Sequence, residues 1–177
     1  EKKLEVIIDR CNIDIRSLGL PFWTSIVKAG HAEIISSISS QDCDAYLLSE
    51  SSLFVWSDRF TMITCGQTKL IDAATLFIKE SPYPIASIFF QRKNEFFPQM
   101  QHTNFEEDVR TLQNLLGGTI YHFGEQHYNH IFHYEASPLA ENTNYAQEDT
   151  TIELLMYNLG AKASKIFLNQ TQEKIHT

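Results

Sequence analysis

An α+β fold, an antiparallel β-sheet with helices packed on one face, is what this sequence predicts. Three observations carry the prediction. Short β-type runs succeed one another between residues 32 and 65, stretches of helical periodicity interleave with strand-like runs, and no internal repeat or low-complexity tract breaks the pattern. At 177 residues the chain fits a single domain, residues 1–177, and its 43% hydrophobic and 20% charged content places it among sequences that bury a core.

Leu4 to Arg10 sets Leu4, Ile7 and Ile8 on one stripe at helical spacing, and Phe22, Trp23, Ile26 and Val27 repeat that signature after Pro21, so both stretches read as helices. Gly30 closes the second. Ala32–Ser37, Ala45–Ser49, Ser52–Trp56 and Phe60–Cys65 are β-type runs, with Ser57-Asp58 as a tight turn between the last two. Lys69–Ile78 returns to helical period, with Leu70, Ala73, Ala74, Phe77 and Ile78 on one face, until Pro82 and Pro84 break it. Ile85–Phe90 is an apolar strand.

Asn104 caps a helix that runs to Leu116. Glu107 stands three residues on, Phe105, Val109, Leu112 and Leu116 form the buried stripe, and Gly117-Gly118 end it. Thr119–Phe123 and Ile131–Tyr134 pair as a hairpin around Gly124–Asn129. Pro138–Gln147 is a polar loop, and a last helix starts near Thr150, turning Ile152, Leu155, Met156 and Leu159 inward before Gly160.

Composition excludes several classes of function. A formal charge of −8 argues against nucleic acid as a partner, because that affinity comes from clustered Lys and Arg releasing counterions. No apolar run approaches membrane-span length and the chain starts Glu-Lys-Lys, so neither a membrane nor a signal sequence is expected, and a cytoplasmic location is. Cys11, Cys43 and Cys65 are odd in number with no C-x-x-C spacing, which predicts free thiols. His122, His127, His130 and His133 raise a metal site, but residues three apart on a strand face opposite ways and no H-E-x-x-H or cysteine partner appears; no metal is expected. Arg92-Lys93 reads as a solvated turn.

The segment Leu48-Ser49-Glu50-Ser51-Ser52-Leu53-Phe54-Val55 interrupts two apolar half-strands with four small or polar residues. As bare residues this is a serine-rich strand end or bulge. The alternative is a serine whose hydroxyl attacks the preceding carbonyl, converting the Glu50–Ser51 amide into an ester that eliminates to leave a ketone at a new amino terminus; such a step needs a strained, preorganised peptide.

This segment resembles, throughout its length, the self-cleavage site of the eukaryotic-type S-adenosylmethionine decarboxylase proenzymes. The resemblance continues colinearly through Glu1-Lys2 and Leu4-Glu5-Val6, Arg59-Phe60, Thr64-Cys65-Gly66, Phe89-Phe90, Arg92-Lys93-Asn94, Asn104-Phe105 and Glu153-Leu154-Leu155-Met156. It covers about the amino-terminal half of that family's chain. The resemblance implies one half of a four-layer α/β-β/α sandwich, with an apolar sheet face left exposed for the other half. It also implies cleavage between Glu50 and Ser51 into a β chain, residues 1–50, and an α chain starting at residue 51, with Ser51 becoming a pyruvoyl group.

In that family the pyruvoyl ketone condenses with the amino group of S-adenosylmethionine and serves as the electron sink for decarboxylation, yielding the aminopropyl donor for spermidine and spermine. The resemblance makes Ser51, Cys65 and Glu1 catalytic, Cys65 returning a proton to the product carbon, and gives Leu48 and Glu50 a part in substrate binding. Read alone, Cys65 is a small strand residue before a glycine and Glu1 a solvated end. Glu5, Asp149 and Glu153 match carboxylates of a site where putrescine activates some members, although Asp149, Thr150 and Glu153 also fit a helix cap. Lys3 stands where activated members are apolar and constitutively active ones basic. A homodimer is implied for the full-length protein. A non-catalytic homologue that pairs with and regulates an active decarboxylase is the alternative, against which Ser51 and Cys65 count.

Overall fold

The computed structural model describes residues 1–9, 13–93, 105–116, 120–126 and 129–136. Its strands are β1 (Lys2–Ile8), β2 (Ile34–Ser39), β3 (Asp44–Leu48), β4 (Ser51–Val55), β5 (Arg59–Thr64), β6 (Ile85–Lys93), β7 (Ile120–Gln126) and β8 (Asn129–Glu135). The helices are α1 (Gly19–Ala29), α2 (Leu70–Glu80) and α3 (Phe105–Leu116), with a 3-10 turn, Ile15–Leu18, leading into α1. The strands form one antiparallel sheet in the order β2-β3-β4-β5-β1-β6-β8-β7.

The three helices share one face of this sheet, as predicted. Period-2 alternation turns Leu4, Val6 and Ile8 of β1, Phe60 and Met62 of β5, Ile88 and Phe90 of β6 and Phe132 and Tyr134 of β8 towards them, and all lie in one core with Trp23, Ile26, Ala73, Ala74, Phe77, Phe105, Val109 and Leu112. Its centre is aromatic. Trp23 lies 5.3 Å from Phe60 and 5.9 Å from Phe77, and Phe60 lies 4.8 Å from Phe77, ring centre to ring centre. Each such side chain contributes about 1.5–3 kcal/mol through burial, so α1 and α2 are held chiefly by this cluster.

The expected helix over Leu4–Arg10 is instead strand β1. Both of its edges are hydrogen-bonded, to β5 and to β6, and the buried residues are Leu4, Val6 and Ile8, an alternation of two. Ile7 faces the other side, with Lys3 and Glu5, so the helical spacing of Leu4, Ile7 and Ile8 comes from one apolar residue on the second face of an alternating strand. Arg92-Lys93 is likewise no solvated turn. Both end β6, and Arg92, 8% exposed, pairs with Asp108 Oδ2 at 3.3 Å and lies over the Phe105 ring.

The sheet face away from the helices has its own apolar cluster, Cys43, Ala45, Phe54 and Trp56, flanked by Ile38, Leu47 and Ile63. The exposed apolar face expected there is not found at these positions: Phe54 is 0% and Trp56 9% exposed, packed on each other at 6.2 Å. The β7–β8 hairpin is tighter than expected, Gln126 already pairing with Asn129. The cap at Asn104, the glycines after Leu116, the loop over 138–147 and the helix from residue 150 lie outside the described residues.

Candidate active site

The β3–β4 hairpin turns through Ser49 and Glu50, with Leu48 paired to Ser51 across it. Two-residue hairpins usually place positive φ on their central residues, where Gly or Asn tolerates it. Here the positive φ falls on the residue after them: Ser51 has φ +119°, a region that residues with a Cβ rarely occupy. The turn is fixed from outside by Glu33, whose carbonyl accepts from the Ser49 N–H at 2.8 Å while its own N–H donates to Ser49 Oγ at 3.0 Å. Strain therefore sits beside the Glu50–Ser51 peptide, the bond singled out in the sequence.

Strand β5 brings Cys65 to that bond. Ser51 pairs with Thr64, so the next residue of β5's exit reaches back over the hairpin. The Cys65 N–H donates to the Glu50 carbonyl oxygen at 3.3 Å, and Cys65 Sγ lies 4.0 Å from the same oxygen and 3.7 Å from Glu50 Oε2. Cys65 is exposed. Gly66, at φ +63°, continues the turn in the left-handed region that favours glycine, and a Cβ there would come within 2.9 Å of Glu50 Oε2, a side-chain end that can shift aside.

Three carbonyls of this turn are held from inside. Thr68 Oγ1 donates to the Cys65 carbonyl at 3.1 Å and shares a 2.6 Å hydrogen bond with Thr64 Oγ1. Lys2 Nζ donates to the Gly66 carbonyl at 2.9 Å and to that of Thr68 at 2.6 Å. Burial, and then the Arg92 guanidinium opposite it, push the Lys2 ammonium below its usual pKa. Neither Lys2 nor Thr68 was singled out in the sequence. The signal was the alternation of Leu4, Val6 and Ile8, which puts Lys2 on the helix side of β1.

Glu1 continues the β1–β6 ladder, its backbone exchanging hydrogen bonds with Lys93 at 2.8 and 2.9 Å, so it lies at the same sheet end as Cys65. The Leu48 side chain is in the helix-side core, 3% exposed. Glu5 is half-buried in the middle of β1 on the opposite face, between Thr61 and Phe89, and accepts from Thr61 Oγ1 at 3.3 Å. Lys3 precedes it on that face, between Ile63 and Gln91. Cys11, His127, Asp149 and Glu153 lie outside the described residues, and of the His122 side chain nothing is described.

His130 and His133 face opposite sides of β8, as their spacing requires: His130 stacks on Phe105 at 5.1 Å, and His133 meets Glu135 Oε1 at 3.3 Å. Among the described residues no group of three His, Cys, Asp or Glu side chains is placed to hold a metal ion. Nor, among them, is any helix long and apolar enough to cross a membrane. Cys43 is free but sealed in its cluster, and burial pushes its thiol up to about 12.

Fold and site together define an α+β protein with a strained serine peptide at a hairpin turn, its carbonyl facing the amide and thiol of a cysteine on the neighbouring strand. The profile of the adenosylmethionine decarboxylase family matches residues 1–177, and the chain belongs to that family. It is similar to the S-adenosylmethionine decarboxylase proenzymes of Leishmania donovani (32% identity), Dictyostelium discoideum (29%) and rice, Oryza sativa subsp. indica (27%). These matches cover 93%, 89% and 98% of this chain but 46%, 43% and 47% of the relatives, so the chain spans about half the length of the curated relatives it matches.

Proposed function

We propose that this chain is the amino-terminal part of a self-cleaving, pyruvoyl-dependent decarboxylase of S-adenosylmethionine, its 177 residues forming one domain that cleaves between Glu50 and Ser51. The single observation that carries the reading is the Glu50–Ser51 peptide, with positive φ on Ser51 and the Cys65 N–H on the Glu50 carbonyl oxygen at 3.3 Å.

Cleavage follows from these groups. Ser51 Oγ adds to the Glu50 carbonyl carbon, and the electron pair of the C=O bond moves to the oxygen that the Cys65 N–H faces, the position of an oxyanion donor. On collapse the C–N bond breaks, the proton lost from Oγ passing to the Ser51 nitrogen, which gives an ester with a free Ser51 amine and relieves the strained peptide. Loss of the Ser51 Cα proton then breaks the Cβ–Oγ bond and expels the Glu50 α-carboxylate, and the enamine left behind tautomerises to an imine that water hydrolyses to the ketone, releasing ammonia. Ser51 thus fits as the precursor of the pyruvoyl group, being the residue at the strained turn. Once formed, that group supplies the electron sink for loss of carbon dioxide from the substrate.

Around it, Cys65 Sγ, exposed at the same sheet end, is the proton donor to the product carbon. Glu50 and Leu48 contribute to the substrate site, Leu48 through its backbone because its side chain is core, and Glu1 stands at the same edge. Glu5, with Asp149 and Glu153, is the acidic site for an activating diamine such as putrescine. Lys3, two residues before Glu5 on the same face, supports the alternative in which its ammonium substitutes for one charge of the diamine and the enzyme is active without it. The whole protein is proposed to be cytoplasmic and homodimeric, and to feed spermidine and spermine synthesis.

Intact mass spectrometry of the whole protein, native and Ser51→Ala, tests this together with release of labelled carbon dioxide from carboxyl-labelled S-adenosylmethionine. The expected result is a split after Glu50 with the second chain lacking the mass of ammonia, no split in Ser51→Ala, and carbon dioxide from the native protein alone. A native protein that stays uncut and releases none overturns the reading in favour of a non-catalytic regulatory homologue.

A further inference from the structure

We infer that Lys2 is a positioning residue for self-cleavage: its ammonium clamps the turn from Cys65 to Thr68 and so aims the Cys65 amide at the Glu50 carbonyl. The inference rests on the proposed self-cleavage and adds to it a residue outside the reacting peptide. Lys2 pairs with Thr64 on one side and Arg92 on the other, with β5 lying between it and Ser51, and its hydrogen bonds go to the carbonyls of Gly66 and Thr68.

Its geometry is that of a clamp. Two of its three donors are committed to carbonyls of a single turn, those of Gly66 and Thr68 at 2.9 and 2.6 Å, while Thr68 Oγ1 holds the carbonyl of Cys65. With these three carbonyls held, the backbone following the Cys65 N–H is fixed, while the Thr64–Cys65 peptide that carries it leaves the end of β5 beside Ser51 and turns the N–H to the Glu50 carbonyl. The bond it makes there is long for an amide donor, 3.3 Å against the usual 2.7–3.2 Å or so. A donor held slightly back from the resting carbonyl by its own turn can close on the oxygen as charge develops, which is the differential stabilisation that lowers a barrier. Losing the clamp leaves two carbonyls without their charged donor and lets the turn, which has the left-handed Gly66 at its centre, change shape.

The test has two arms in the whole protein. In the uncut Ser51→Ala background, Lys2→Met is expected to speed amide hydrogen exchange at residues 65–68 on the order of tenfold and to leave β6 unchanged. With Ser51 intact, Lys2→Met is expected to slow cleavage about 10- to 100-fold, the scale of a misplaced oxyanion donor. Lys2→Arg, which can also donate to two carbonyls, restores part of the rate. Should Lys2→Met fail to fold, Lys2→Gln, with one donor retained, takes its place. Unaltered exchange at 65–68 overturns the clamp whatever the chemistry, and faster exchange with native cleavage makes Lys2 merely structural and overturns its role. A wild-type chain that never cleaves refutes the decarboxylase reading itself and removes the role with it.

Discussion

Replacing Ser51 by glycine and by alanine isolates the strain at the hairpin. Both variants lack the hydroxyl, so neither can form the ester, and both are compared as uncut chains. They differ in what φ +119° costs them. Alanine, like serine, carries a Cβ and pays about 1–3 kcal/mol for this backbone region. Glycine is free of that penalty but loses about 0.5–1 kcal/mol through greater chain entropy in the unfolded state. Neither side chain adds a hydrogen bond to the difference, so Ser51→Gly is expected to be about 0–2.5 kcal/mol more stable than Ser51→Ala, with a middle value of about 1 kcal/mol. Urea unfolding of the whole protein followed by tryptophan fluorescence measures this, since Trp23 and Trp56 are both buried in the folded chain. The dependence on denaturant should be equal in the two variants, showing that the denatured states are alike. A glycine variant less stable than the alanine variant would mean that the Ser51 backbone stores no strain to drive cleavage.

Two further outcomes follow from groups away from the cleavage site. Arg16 grips Asp44 through two nitrogens, at 2.9 and 3.1 Å, and the carbonyls of Gln41 and Ser40 at 2.7 and 3.0 Å. Burial raises the Asp44 carboxyl, but the hydrogen bonds from Arg16 and Ser39 outweigh it and hold the group below its usual value. As pH falls, the unfolded chain therefore takes up this proton first: the stabilisation is complete above the ordinary carboxylate value near 3.9 and is lost as pH drops through the lower folded value. Arg16→Met is expected to cost about 1.5–3 kcal/mol at neutral pH and to flatten the acid limb of a stability–pH profile; an unchanged profile counts against the pair. In thiol labelling with iodoacetamide, exposed Cys65 should react in the folded protein, and Cys43, buried and pushed up to about 12, only on unfolding. Equal rates in the folded state would contradict the burial of Cys43.

The helices were legible because amphipathic period and punctuation agree: Gly30 ends α1, Pro82 follows α2, and Phe77 and Leu112 fall on the buried stripes. Strand β1 was not, because the single apolar residue on its second face, Ile7, masks the alternation of Leu4, Val6 and Ile8, and Leu4, Ile7 and Ile8 then imitate a helix turn. Its true state is set by β5 and β6, whose partner residues lie some 50 to 90 positions further along the chain. The candidate site divides in the same way. Ser51 and Cys65 stand in motifs and were visible. Lys2 stands in the Glu1-Lys2 stretch too, but its hydrogen bonds go to carbonyls of residues 66 and 68, backbone groups that carry no side-chain signature.

The sheet order has a consequence for the product of cleavage. A cut after Glu50 would assign β1, β2 and β3 to one polypeptide and β4 to β8 to the other, yet in the sheet β2-β3 and β1 lie on opposite sides of the β4–β5 pair. The two polypeptides would be interlaced, the shorter gripping the longer from both flanks. It could leave only by rupturing the β3–β4, β1–β5 and β1–β6 ladders together, so its residence time would be set by global unfolding and not by an ordinary dissociation rate. Maturation would thus turn a fold reached by one chain into one that, once denatured, must be rebuilt by a second-order encounter, and the cleaved molecule would keep its form through the memory of having been folded whole.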